Sequence, residues 1–240
     1  PKLSEKISPA LFDKLAGAVL FKRDFLQGSW TFGSFQAFLP TLPARNLLHY
    51  VAFWPIGFDE NYPDYLPPNA SLGTLTELQN LVAYSRAEGN LVMPYTNPTW
   101  WDDQGPTLGT LGTGIVARNR NGSLIFETYA GVHDGYVVSP YHPDVIARQD
   151  QTRTEFTTTV PCDLMFEDQV GARQFPSYDG NPFAPDPLSY VQGMVELAER
   201  SAQSIPIMSE GGFDRLAHHE AGFCLSQKIG WQYWPDRTFM

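Results

Sequence analysis

Cysteine is scarce in this chain. Cys162 and Cys224 are the only two in 240 residues, and neither belongs to a CxxC pair. That spacing argues against a cysteine-type zinc site, and it leaves open whether the two thiols pair or stay free. Basic residues are also in short supply: 16 Lys and Arg stand against 26 Asp and Glu, a formal net charge of −10. Such a surface repels nucleic-acid phosphates and anionic membranes, so neither is expected as a partner. No apolar run reaches the ~18 residues of a membrane-spanning helix. No signal-peptide pattern opens the chain at Pro1, so a leader is expected to have been removed or to lie outside it. No GxGxxG or GxxxxGK[ST] follows an apolar run, which leaves a nucleotide site without support. A GxSxG elbow is missing too, and this disfavours a serine hydrolase.

What the chain has instead is aromatic and apolar mass, with 14% aromatic and 42% hydrophobic residues. That suffices for one large core but not for two generous ones, so a single domain over residues 1–240 is expected. The rings either fill that core or line a cleft that holds sugar, and composition alone favours the core.

The apolar runs are spaced as strands and helices. "NLLHYVAFWPI", residues 46–56, reads as a buried strand ending at Pro55. After a polar, Pro-rich loop, Thr74 and Glu77 have the spacing of a capping box. Leu75, Leu78, Leu81 and Val82 form a helical stripe that Gly89 stops. Residues 90–98 read as a second strand. Two β-rich runs around Asn121-Gly122 predict a β-hairpin insertion near residues 112–130, and 135–140 another short strand. Pro143 opens a helix to about residue 157, followed by a strand at 163–168 and a loop of about 17 residues, long enough to suggest function. Asp186 and Pro187 open a helix whose stripe is Leu188, Val191, Val195 and Ala198. A strand at 204–212 and a helix over about 213–227 complete the reading.

Strand, long loop and helix in repetition give an α/β protein with a parallel sheet. Barrels and open doubly wound sheets both gather polar residues at the C-terminal strand ends. The long aromatic loops favour a (β/α) TIM-type barrel. Only about five strands are counted from residue 46, so the barrel is expected to be incomplete and the catalytic domain truncated at its C-terminus.

"DLMFEDQVGAR", residues 163–173, runs an apolar strand straight into Glu167 and Asp168. Successive strand residues face opposite sides of a sheet, so only one of the two acids can enter a barrel mouth. Asp168 shares a side with Leu164 and Phe166. Glu167 shares the other with Met165, and if buried there it needs a base or several N–H donors. Glu210 ends the next apolar run. Adjacent strands lie about 4.8 Å apart, and a retaining glycosidase needs two carboxyl groups about 5–5.5 Å apart. Acids at strand ends also serve as helix caps or solvated mouth residues, and spacing alone leaves that alternative open.

"DLMFEDQVGAR" followed by "IPIMSEGGFD" resembles the catalytic barrels of retaining glycoside hydrolases, over roughly residues 46–226. The nearest group is that of bacterial proteins similar to endo-α-N-acetylgalactosaminidases and distantly to the α-amylase clan. The resemblance implies an Asp nucleophile at the end of the fourth strand, matched by Asp168 in "LMFEDQ". It implies a Glu acid/base at the end of the fifth, matched by Glu210 in "IMSEGG". "MPYTNPTWWD", residues 93–102, looks like the strand-three end that lines the sugar site. There are departures: Phe166 stands where the α-amylase clan usually has Arg, and no seventh strand supplies a third carboxylate.

The expected function is a retaining glycoside hydrolase acting on an oligosaccharide or glycoconjugate, without cofactor or metal. Its catalytic residues are Asp168 and Glu210. Asn97, Trp100, Trp101, Asp102, Tyr95 and Arg173 are the candidate carbohydrate-binding residues, the two Trp residues standing equally well as core. Asp102, Asp103, His133 and Asp134 could also line the mouth, although each alone reads more readily as a solvated loop residue. The resemblance also suggests a secreted or periplasmic protein. Two alternatives remain: a carbohydrate-binding barrel without turnover, and a metal-dependent hydrolase using Asp168, Glu210 and a histidine. His218 and His219 read as helix-surface residues.

Overall fold

A computed structural model describes residues 2–43, 45–171, 176, 178–212 and 214–224. Arg173 and the stretch 225–240 lie outside the described residues.

The chain enters through two short helices, α1 (Leu3–Lys6) and α2 (Pro9–Ala16), before strand β1 (Val19–Asp24). Helix α3 (Phe32–Phe38) leads to β2 (Asn46–Val51), and α4 (Leu75–Ala87) to β3 (Leu91–Thr96). Then come β4 (Trp100–Asp102), α5 (Pro106–Leu111), β5 (Phe126–Tyr129) and β6 (His133–Val137). Helix α6 (Pro143–Thr154) runs on into a π-helical turn, Glu155–Thr159, and leads to β7 (Met165–Glu167). Helix α7 (Tyr190–Ser204), β8 (Ile207–Glu210) and β9 (Glu220–Cys224) follow.

Six strands form one all-parallel sheet in the order β1-β2-β3-β7-β8-β9. The spatial order follows the chain order, so the sheet winds in one direction and curls into an open half-barrel with helices between its strands. Every residue of β2 and β3 is buried, which is why both read as continuous apolar runs. Thr74 caps α4 as expected, its Oγ1 accepting from the Glu77 N–H while Glu77 accepts from the Thr74 N–H at 2.7 Å.

Several expectations need correction. A strand precedes residue 46: β1 pairs with β2 from Val19↔Asn46 to Asp24↔Val51. Its polar half, Lys22-Arg23-Asp24, gives it no apolar run to recognise. The helix expected over 213–227 is, in its described part, a 3₁₀ turn at Asp214–Leu216 and then β9. Pairing with β8 overrides the helical look of "RLAHHEAGFC", and His218 and His219 sit on the connecting turn. The insertion is a three-stranded antiparallel sheet, β4-β6-β5. Asn121-Gly122 does make a turn, with Gly122 at φ +84°, but only one bridge, Arg118↔Leu124, flanks it. The hairpin proper joins β5 to β6. Helix α7 starts at Tyr190 because Asp186 closes a turn instead, accepting from the Leu188 N–H at 2.7 Å. Leu188 is 73% exposed, and the buried face is Tyr190, Met194, Leu197 and Ala198.

Candidate active site

The C-terminal ends of the parallel strands surround a cavity of about 580 Å³. Side-chain alternation decides what enters it. On β7, Phe166 lines the cavity and Asp168, one position past the strand, follows it. The ladder holds that position, since the Asp168 N–H donates to the Thr96 carbonyl at 2.7 Å. Glu167 turns the other way and is buried between sheet and helices. There Ser201 of α7 supplies a hydrogen bond and Arg153 of α6 a favourable charge, but burial dominates and pushes its carboxyl up to about 7. The Arg153 guanidinium also bonds Ser201 at 3.3 Å. The two adjacent acids therefore have different surroundings, as strand geometry requires.

Glu210 ends β8 and lines the same cavity as Asp168. The close approach of the two strand ends depends on Gly171. A Cβ there would meet the Gly211 carbonyl oxygen at 2.0 Å and Ser209 Oγ at 2.6 Å, so no larger residue fits without displacing the β8 end. Tyr95 of β3 completes the group, its hydroxyl donating to Asp168 Oδ2 at 2.7 Å. Burial and the Glu210 charge push Asp168 up to about 7, against the pull of the Tyr95 hydrogen bond. Burial thus disfavours the charged form of Asp168, and the nearby Glu210 adds to that. Asp168 therefore gives up its proton at a higher pH than an ordinary carboxyl, a property suited to acid/base chemistry.

A third acid faces this pair. Asp59, on the β2–α4 loop, lines the cavity, and burial raises its carboxyl, with the Glu210 charge contributing. Lys22 of β1 and His49 of β2, register partners on adjacent strands, line the same cavity. Burial and then the Lys22 charge lower His49 to about 3, so its imidazole is neutral. Its ring lies against Phe166, with centroids 4.6 Å apart.

Of the residues singled out from sequence, Asp168, Glu210 and Tyr95 meet in this cavity. The structure places Trp100, Trp101, Asn97, Asp102 and His133 elsewhere. Trp100 and Trp101 are fully buried: Trp100 packs on Tyr62 and Tyr129, and Trp101 fills a second apolar cluster with Leu108, Ile115 and Val145. Neither offers a ring face to the cavity, because β4 carries both into the insertion sheet. Asn97 is 1% exposed and its Oδ1 accepts from the Thr99 and Trp100 N–H groups, which shapes the turn after β3. Asp102 accepts from the Asn61 N–H at 2.5 Å and the Gln104 N–H at 3.0 Å, organising loops instead of lining the cavity. His133 pairs with Glu60 at 3.4 Å. Arg173 is outside the described residues. Sequence reading missed Lys22, His49, Phe58, Asp59 and Gln169. The signal for Phe58 and Asp59 was present in the polar loop after a buried strand, the position that holds active-site residues in parallel β/α folds.

Both cysteines are free thiols, and Cys224 lines the cavity beside Glu210. Among the described residues no group of three or more His, Cys, Asp and Glu side chains is placed to hold a metal ion.

No protein-family model matches the sequence, and no curated protein matches it. Solved structures do match in fold. An α-N-acetylgalactosaminidase from Bifidobacterium bifidum in complex with GalNAc superposes with a TM-score of 0.76 at 17% identity, over 91% of this chain and 38% of that one. An α-galactosidase from Thermus thermophilus with bound p-nitrophenyl α-D-galactopyranoside gives 0.64 at 10% identity, over 87% of this chain and 41% of that one. A maltogenic α-amylase from Thermotoga neapolitana gives 0.62 at 11% identity, over 86% and 48%. The chain thus spans less than half the length of each. The fold it shares with them is the α/β barrel type, here an open half-barrel of six parallel strands.

Proposed function

We propose that this chain carries the catalytic centre of a retaining glycoside hydrolase acting on an oligosaccharide or glycoconjugate. One observation carries the reading: Asp168 and Glu210 stand at the ends of neighbouring parallel strands and line one cavity. In the first step an Asp168 carboxylate oxygen bonds to the anomeric carbon while the bond to the leaving oxygen breaks. Glu210 transfers its proton to that oxygen. In the second step Glu210 takes a proton from water, the water oxygen attacks the anomeric carbon, and the Asp168 ester is released as carboxylate. Tyr95, already donating to Asp168, stabilises the carboxylate before attack and after release. The fold likeness to sugar-binding hydrolases supports a carbohydrate as substrate.

A second assignment has an observation in its favour. Asp168 is the buried carboxyl pushed up to about 7, and the carboxyl with the raised value is commonly the acid of such a pair. The Tyr95 hydrogen bond and the strand-end position argue for Asp168 as nucleophile. A screen of aryl glycosides tests the function itself. Turnover of at least one substrate, lost in Asp168→Asn and in Glu210→Gln, is expected. Sugar binding without turnover of any substrate would leave a carbohydrate-binding barrel.

A further inference from the structure

Behind Asp168 and Glu210, on the other side of the sheet from the cavity, lies a buried polar layer. Glu167 on β7 and Ser209 on β8 are register partners, each one residue before a member of the pair. A third polar residue joins them from β9. Ile207 pairs with Glu220 but Met208 pairs with Gly222, so the β8–β9 ladder carries one extra residue, Ala221. Cys224 lines the cavity, and unbroken alternation would set Glu220 on that same side. The irregularity re-aims it to the back of the sheet, where Glu220 Oε1 accepts from the Ser209 hydroxyl. Glu220 and Ser209 are both buried. The Ser209 hydroxyl also lies 3.0 Å from the carbonyl oxygen of Gly211, the residue after Glu210. The backbone of Glu220 is held from outside, because Lys6 Nζ of α1 donates to the Ala217 and Glu220 carbonyls at 2.7 and 2.6 Å.

We propose that Glu220, acting through the Ser209 hydroxyl, is a positioning residue for Glu210. This rests on the reading of Glu210 as one of the catalytic pair and adds to it what fixes the strand end that carries it. Burying an acid is unfavourable, and an apolar side chain would fill the same space without that penalty. What an apolar side chain cannot do is hold Ser209. A serine hydroxyl has one hydrogen to give, and here two acceptors lie within its reach, Glu220 and the Gly211 carbonyl. A group at position 220 that can itself donate satisfies both: it donates to Ser209 Oγ, and Ser209 donates to Gly211. Burial pushes the Glu220 carboxyl up to about 7, against the pull of Ser209 and Lys6, so its donating form is available near neutral pH. The chain of contacts thus runs from β9 through Ser209 to the residues on either side of Glu210. It meets the Gly171 packing at the same two groups, Ser209 Oγ and the Gly211 carbonyl.

The test compares Glu220→Leu, Glu220→Gln, Ser209→Ala and the Glu220→Leu/Ser209→Ala double variant of the 240-residue chain, each assayed below its own melting temperature on an aryl glycoside that the wild type cleaves. Glu220→Leu and Ser209→Ala are each expected to lower kcat at least about tenfold and to leave KM within about twofold, since neither side chain lines the cavity. The double variant is expected to lose no more than the worse single one, because both break the same link. Glu220→Gln, whose amide donates and accepts at once, is expected to keep kcat within about threefold. A readout that needs no turnover is the Glu210 carboxyl resonance in a chain isotopically labelled at its Glu carboxyls, assigned by its loss in Glu210→Gln. Its titration midpoint is expected to move by at least about half a pH unit in Ser209→Ala, a substitution that changes no charge. If Glu220→Leu does not fold, Ser209→Ala and the resonance decide. Unmoved kcat in the folded variants, additive losses in the double variant, a loss in Glu220→Gln as deep as in Glu220→Leu, or an unmoved resonance in Ser209→Ala overturns the proposal. A wild type that cleaves nothing, with the resonance moving as expected, would retire the hydrolase reading and leave the positioning link standing. Turnover by the wild type with neither kcat nor the resonance moved in Ser209→Ala would do the opposite.

Discussion

Replacing Glu167 by Gln removes a charge that burial already disfavours, while replacing Asp168 by Asn removes the atom proposed to bond to the sugar. The two neighbours should therefore behave differently. Asp168→Asn is expected to lower kcat/KM by at least about 10³-fold with the fold intact. Glu167→Gln should change it by less than about threefold, since Glu167 packs against Ser201 and Arg153 outside the cavity. A steady-state comparison in which Glu167→Gln is the inactive one would invert the assignment of the pair. Tyr95 gives a second test at this scale. Its hydrogen bond pulls the Asp168 carboxyl down against burial and Glu210. Activity that needs ionised Asp168 should rise with pH through about 7. Tyr95→Phe should move that acid limb to higher pH, because the carboxylate loses its donor. A pH–rate profile with an unmoved or acid-shifted limb in Tyr95→Phe would contradict the coupling.

At the scale of elements, the approach of β7 to β8 rests on a residue with no side chain. Gly171→Ala would drive a Cβ into the Gly211 carbonyl and Ser209 Oγ, and the β8 end carrying Glu210 must then shift. A change of about 1 Å in such a pair costs on the order of 10²-fold in rate. The variant should keep most of its secondary structure by circular dichroism and lose at least that much in kcat/KM. Full activity would mean that Glu210 is not positioned through this contact. The interior elements were the most legible in the sequence. β2 and β3 are buried throughout and read as apolar runs, and Thr74 and Glu77 announced the start of α4. The outer strands were not legible. Val19 and Leu20 on β1 are 61% and 49% exposed and give way to charged residues, and β9 breaks its apolar pattern with Gly222. The stripe of α7 was misread because Leu188 looks apolar in sequence but lies in the turn before the helix.

Across the whole molecule, three carboxyls share one feature: burial pushes Glu167, Asp168 and Glu220 each up to about 7. A carboxyl whose folded value lies above its unfolded value of about 4 binds its proton more tightly when folded. Its contribution to stability is present at low pH and is lost as pH rises from about 4 to about 7. The protein should therefore melt at a higher temperature at pH 5 than at pH 8, by roughly 5 °C or more. Glu167→Gln should narrow that gap. A melting temperature that rises from pH 5 to pH 8 would contradict the burial of these groups. The site was legible in part at this scale. Alternation along a strand and the pairing of neighbouring strand ends bring Asp168 and Glu210 together, and both follow from local sequence. Lys22, Phe58 and Asp59 line the same cavity from β1 and from the β2–α4 loop, more than a hundred residues away in the chain, and no local pattern links them to Asp168 and Glu210.

The central claim, that Asp168 bonds to the sugar, is tested most directly by trapping. The chain is incubated with an activated 2-deoxy-2-fluoro glycoside of whichever sugar it cleaves, digested, and mapped by mass spectrometry. The added mass is expected on the peptide holding Asp168, and none on that peptide in Asp168→Asn. Label on Glu210 in its place, or a hydrolysis product of inverted configuration with no trapped species, would contradict the mechanism.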